Sequence, residues 1–296
     1  MKHFLYLSML CATLSAAIHT HEPANQKTVQ VPIIMYHSLA GDMDSTSISK
    51  EAFEVDLRYL QEAGFQSVTI TELIDFVRHG TPLPPRPVVL TFDDGYWNNY
   101  SAGFLLALKY DMPIVVSVIG KDTEIWSDNG AKDERHGHLT WVQINEMHTS
   151  GYVEFGNHTW NLHKTKHGRH GTKIRPNEDL AAYRSVLKDD IGRLQAEFLS
   201  RCGTTPATFV YPFGATCPEA LLILKEMGFQ ATLTCREEIN TITQNNPDSL
   251  FELGRFERTP NHSVQNILEQ ITTPCPENPA SETLVLTGPA HTLLPQ

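Results

Sequence analysis

The chain has 296 residues, 41% of them hydrophobic, which is enough to bury the core of a single α/β domain. Its 34 acidic and 23 basic residues leave a formal net charge of -11 at pH 7. That balance argues against nucleic acid as a partner, because phosphate binding needs a basic face, and it is compatible with a glycan.

Residues 1–17 read as a secretory signal peptide. Lys2 and His3 form a short polar start, residues 4–14 are apolar, and Ser15, Ala16 and Ala17 offer a small-residue cleavage zone. The apolar run is too short for an ordinary membrane span, and no later stretch could cross one. The sequence therefore predicts a secreted, periplasmic or envelope-associated protein, with an uncleaved anchor as the alternative. Leu10 before Cys11 argues against lipid attachment. Cys202, Cys217, Cys235 and Cys275 would remain after cleavage; they lack CxxC spacing, and three pairings are open to them.

Short β-rich runs then alternate with amphipathic helical runs. Residues 31–37 read as a buried strand, and Ser49 opens a helix with apolar Phe53, Leu57 and Leu60 that Gly64 ends. A strand over 65–70, a helix from Thr71 through Val77 and a Pro-rich loop over 81–87 precede a strand over 88–92. Further strands are expected over 113–119, 152–155, 208–211 and 229–234, with helices over 140–150, 177–200 and 217–227. Residues 121–138 and 163–176 read as polar surface loops, and 272–296, with five prolines, as a loosely held tail. Repeated strand–helix units imply parallel strands with helices outside, either as an open sheet or as a barrel.

Two segments carry candidate chemistry. The first is Thr91-Phe92-Asp93-Asp94-Gly95, directly after a hydrophobic run. Adjacent carboxylates at the end of a buried strand are costly without partners, and in parallel α/β folds that end is where ligands bind. One carboxylate could hold a metal while the other moves a proton; an ordinary Asp-Gly turn is the alternative. The second is His158-Thr159-Trp160-Asn161-Leu162-His163, again following an apolar run. Two imidazoles at this spacing can converge on one cation, and with one carboxylate they leave positions open for catalysis. Two surface histidines would be the plainer reading.

Together with Phe209-Val210-Tyr211-Pro212-Phe213-Gly214, these segments resemble the polysaccharide deacetylases of carbohydrate esterase family four, the NodB homology domain. The resemblance runs over about 31–262. It implies an irregular (β/α) barrel, with a catalytic domain placed here over 28–271. It further implies that Asp94, His158 and His163 bind a divalent metal, with Asp93 as general base. Zinc is the default metal, with cobalt, nickel or iron(II) as alternatives. A cation acidifies water and polarises a carbonyl, and a nearby carboxylate can take the proton. The developing oxyanion needs a further donor, for which the resemblance implies the backbone N–H of Phe213 after Pro212. Tyr211 and Trp160 are further candidates for substrate contact, as are Tyr96 and Trp97 beside the first motif.

The chain departs from the family pattern in two places. Many members carry an arginine two residues before that proline, to orient the catalytic aspartate; here the position is Val210. Arg255 and Arg258, flanking Phe256, are candidate substitutes. The late Leu-x-x-His motif, which supplies the general acid, has no match, and His291 lies in the Pro-rich tail. An early histidine stands in its place: Pro32 to Tyr36 leads into His37, as in the branch containing poly-N-acetylglucosamine deacetylases, and His37 is the candidate general acid. The expected reaction is removal of N-acetyl groups from an acetylated glycan. The alternatives are a catalytically weak carbohydrate-binding protein on the same fold, or a deacetylase acting on peptidoglycan or a non-glycan amide. Oligomeric state is not readable.

Overall fold

A computed structural model describes residues 26–41, 43–129, 133, 135–165 and 168–272. The expected signal segment, the tail beyond 272 and Cys275 lie outside the described residues. The strand expected over 31–37 is broken by Pro32, which has no N–H to continue a ladder. Thr28–Val31 (β1) becomes one arm of a small antiparallel pair, and the fully buried Ile33–Tyr36 (β2) enters the main sheet. Ser49 caps Lys50–Glu62 (α1) by accepting the Ala52 N–H, and Phe53, Leu57 and Leu60 form its buried stripe.

Next comes Gln66–Ser67 (β3), much shorter than expected because Thr69, not Thr71, caps Ile70–His79 (α2). Thr69 and Glu72 form a reciprocal capping box, and Gly80 closes the helix in a left-handed turn. After the buried Pro87–Phe92 (β4), a π-helical stretch Asn99–Phe104 runs into Leu105–Tyr110 (α3). Ile114–Val118 (β5) leads to Gly120–Asn129 (α4), within a segment expected to be a loop. Only Gly120 and Thr123 of that helix are buried, so it has no apolar stripe to announce it. The remaining elements are Trp141–Thr149 (α5), Val153–Asn157 (β6), Leu180–Cys202 (α6), Thr208–Val210 (β7), Pro218–Glu226 (α7), Ala231–Leu233 (β8), Asn240–Thr243 (β9), Phe256–Glu257 (β10) and Val264–Thr272 (α8).

The main sheet runs β10-β2-β4-β5-β6-β7-β8 with every pairing parallel, β3 adding to the start of β4, and β9 pairing with β1. One segment touches both sheet edges: Leu253 bridges to Leu233 of β8, and Phe256–Glu257 pairs with Ile34 and Met35 of β2. The sheet therefore curls back on itself as an irregular barrel. Side chains alternate along each strand. Ile34, Tyr36, Leu90 and Phe92 pack with residues of α1, α5, α6 and α8, whereas Ile33, Val89, Val115, Val210 and Leu233 pack together with α2. Asp93 shares the alternation of Val89 and Thr91, and so it turns toward the face packed with α2 rather than toward α1, α5, α6 and α8.

A buried ion pair fixes the chain where it leaves β10. Arg258 reaches back to Asp56 of α1 (Nε to Oδ2, 2.7 Å), and the Tyr36 hydroxyl donates to the same oxygen at 3.4 Å. Both ionic groups are almost fully buried. Asp56→Ala strands the Arg258 cation in the core and should cost about 3–5 kcal/mol. Asp56→Leu combined with Arg258→Met, which removes both charges, should cost less; urea unfolding of the two variants measures the difference.

Candidate active site

Parallel strands deliver the motif residues to one end of the barrel. β4 ends at Phe92 and hands on Asp93 and Asp94; β6 ends at Asn157 and hands on His158; β2 ends at Tyr36 and hands on His37. Asp94 adopts a left-handed backbone (φ 67°), which swings its carboxylate away from that of Asp93. Gly95 follows because a Cβ there would lie 2.7 Å from Val118 Cγ1. The turn sets Asp94 Oδ1 3.5 Å from His158 Nε2 and 3.4 Å from His163 Nε2.

The loop carrying the histidines is held by hydrogen bonds. Thr159 turns the chain at φ 73°, its N–H donates to Asn157 Oδ1, and its hydroxyl accepts the Leu162 N–H. From α6, Asp190 accepts the N–H groups of Trp160 (2.8 Å) and Asn161 (3.0 Å). His158 Nδ1 lies 2.9 Å from the carbonyl oxygen of Val210. A carbonyl can only accept, so Nδ1 carries the proton and Nε2 presents a lone pair to Asp94 and His163.

These residues fit a divalent cation. One carboxylate and two imidazoles place their ligand atoms within 4.8 Å of one another. Among the described residues Asp94 Oδ1 is buried with no hydrogen-bond donor beyond the two imidazole nitrogens at 3.4 and 3.5 Å, an arrangement that is costly for an anion unless a cation meets it. The set suits zinc and its neighbours in the first transition row and leaves coordination positions open.

Charge divides the two aspartates. Burial would push the Asp94 carboxyl up, but whenever the imidazoles carry their protons, as they do at low pH without a cation, His158 and His163 override it and hold it well below the usual carboxylate range. Burial likewise works on Asp93, and Arg255 followed by His158 brings it below its ordinary value. Arg255 grips Asp93 with a two-pronged fork, Nη1 to Oδ1 at 2.7 Å and Nη2 to Oδ2 at 2.8 Å, while its Nε donates to the Thr234 carbonyl. Arg255 thus takes the place of the arginine missing at position 210, whereas Arg258 is committed to Asp56.

A cavity of about 490 Å³ opens over this cluster. His37, Tyr96, Phe213 and the free thiol of Cys235 share its lining with Asp93, Asp94, His158 and His163. Among the described residues His37 Nδ1 has no hydrogen-bond partner. Phe213, left-handed at φ 59° and 42% exposed after the buried Pro212, lays its ring against His163. Tyr96 stacks on His138, whose Nδ1 bonds the Asp94 carbonyl oxygen.

Two candidates for substrate contact point elsewhere. Trp160 is 6% exposed, seated on Gly120 where a Cβ would not fit, and its face is covered by the Arg193 guanidinium at 3.8 Å. Tyr211 is fully buried against Phe209 in the cluster that joins α6 and α7. Neither lines the cavity, because each belongs to the side of its segment that faces the core. Cys202 and Cys217 are free thiols as well.

A polysaccharide deacetylase family model matches residues 80–232, over half of the chain, and the chain belongs to that family. The poly-beta-1,6-N-acetyl-D-glucosamine N-deacetylase of Escherichia coli (strain K12) is 28% identical over 268 residues, covering 81% of this chain. The match covers only 38% of that longer relative. Among solved structures, IcaB from Ammonifex degensii superposes with a TM-score of 0.67 at 27% identity, over 81% of this chain and 96% of that one. A de-N-acetylase from Aggregatibacter actinomycetemcomitans shares the fold with a TM-score of 0.70 at 24% identity, over 81% and 99% of the two chains.

Asp190 offers a test of how the histidine loop is held. Burial raises its carboxyl to about 6 despite the two N–H donors. Folding then favours its protonated form, so its contribution to stability should fall as pH rises from about 4 to 6 and stay flat above. The difference in unfolding free energy between the wild type and Asp190→Asn, followed from pH 4 to 7, should carry that slope.

Proposed function

We propose that this chain is a metal-dependent hydrolase that removes N-acetyl groups from an N-acetylglucosamine-containing polysaccharide, releasing acetate, with 28–271 as its catalytic domain. The observation that carries the proposal is the buried, unpartnered Asp94 Oδ1 between two imidazole nitrogens, next to a second carboxylate locked by an arginine. The name of the E. coli relative favours a β-1,6-linked polymer as the first substrate to try. The signal-like N-terminus supports action outside the cytoplasm.

Asp94, His158 and His163 would hold the cation, zinc first among the candidates. When bound, it supplies Lewis acidity toward water and toward the acetamide carbonyl. Asp93, kept ionised and aimed by Arg255, accepts a proton from the attacking water as the water oxygen bonds to the carbonyl carbon. The backbone N–H of Phe213 is the candidate donor to the oxygen that gains charge. The C–N bond then breaks with its electron pair going to nitrogen, and His37 donates the proton that makes the amine a neutral leaving group. Acetate departs with the water oxygen, and the sugar keeps a free amine.

Metal-loaded protein should release acetate from β-1,6-linked N-acetylglucosamine oligomers. A chelator should abolish the release, and zinc, cobalt or nickel should restore it. Asp93→Asn should retain the metal and lose at least about 100-fold in kcat, whereas His158→Ala should lose metal and activity together. Protein with a full complement of bound cation that releases no acetate from β-1,6-linked oligomers, chitin oligomers or peptidoglycan would overturn the proposal.

A further inference from the structure

His37 has no side-chain anchor at Nδ1 among the described residues, so its imidazole is placed chiefly by its backbone. That backbone is gripped by two consecutive asparagines. Asn99 Nδ2 donates to the His37 carbonyl oxygen at 3.0 Å. Asn98 Nδ2 donates to the Ser38 hydroxyl at 2.9 Å, and Asn98 Oδ1 accepts the Leu39 N–H at 2.8 Å. Three successive residues leaving β2 are thereby bound to one point, and both amides are almost entirely buried.

The anchoring point belongs to the segment that carries the aspartates. Asn99 donates its N–H to the Tyr96 carbonyl and opens the π-helical stretch Asn99–Phe104, a form of helix that is rare and often found at functional sites. Asn99 also keeps its Oδ1 buried without a partner. A residue selected for packing alone would carry no such penalty, since an apolar side chain of the same size would fill the space. The amide is retained for the bond it donates.

We propose that Asn99, assisted by Asn98, is a positioning residue that fixes His37 relative to Asp93 and so governs proton delivery to the leaving nitrogen. This rests on the reading of His37 as the proton donor. Asn99 touches neither the metal ligands nor the cavity, so its loss should spare cation binding and the attack by water. It should damage the step in which the C–N bond breaks.

The test uses the metal-loaded full chain and two substrates that differ in their leaving group. An acetylated glucosamine oligomer expels an amine that must be protonated; 4-nitrophenyl acetate expels an aryloxide that needs no proton. Asn99→Leu should lower kcat on the oligomer by about 10- to 100-fold while ester hydrolysis stays within about threefold of wild type. Asn99→Asp, which fills the same volume and has no donor for the His37 carbonyl once its carboxyl is ionised, should show the same split at alkaline pH, with unchanged metal content. His37→Ala serves as the reference for the split. If His37→Ala shows the split and the Asn99 variants lose both activities equally, or neither, the positioning role is overturned while the proton-donor reading stands. If His37→Ala shows no split, the proton-donor reading falls and takes this inference with it.

Discussion

The buried pair between Arg255 and Asp93 ties the barrel and its chemistry to the same bonds. Two ions removed from water repel the fold unless their geometry is close to ideal. Here the guanidinium meets both carboxylate oxygens, sends its Nε–H to the Thr234 carbonyl and reaches Thr91 Oγ1 with Nη1 at 3.3 Å. Arg255 also belongs to the segment that joins the two edges of the sheet, between the bridge at Leu253 and the pairing of Phe256 with Ile34. Closing the sheet and aiming the Asp93 carboxylate are therefore one event. A weak seam would show itself as a misdirected Asp93 carboxylate before it showed itself as an unfolded protein.

Neighbouring aspartates acquire different tasks from their surroundings alone. Asp93 continues the strand's alternation and meets a permanent cation, so its charge is matched by the protein. Asp94 turns left-handed and meets two imidazoles that carry no permanent charge, so its charge is left for something the protein does not supply. The pattern is a general one, in which paired carboxyl groups diverge in role when their environments diverge. The leucine, valine and phenylalanine layers below the cavity hold both groups in place without taking part.

Much of this was legible before the fold was known. Strand ends carrying Asp93–Asp94 and His158 could be placed from hydrophobic runs, because a buried strand followed by polar residues is a strong pattern. Arg255 could be suspected only because Val210 left a gap, since no local feature ties a residue to a partner 162 positions away. Trp160 and Tyr211 misled for the opposite reason: nearness in sequence to a motif says nothing about which way a ring points, and both rings point into the core. The helix over Gly120–Asn129 was hidden because it buries almost nothing apolar, and the start of α2 was displaced by two residues because both Thr69 and Thr71 can cap. Asn98 and Asn99 carried no signal in the sequence, since what they do is hold the backbone of a distant strand end.

The long reach of Arg255 also has a temporal side. At ordinary elongation rates the ribosome needs roughly 10 to 30 seconds to make the 162 residues that separate it from Asp93. Throughout that interval the nascent chain holds the Asp93 carboxylate without its arginine partner and its sheet with an open edge beside β2. The half-made protein is a set of parallel strands awaiting their last partner. The fork that aims the Asp93 carboxylate thus arrives only with the final strand of the barrel.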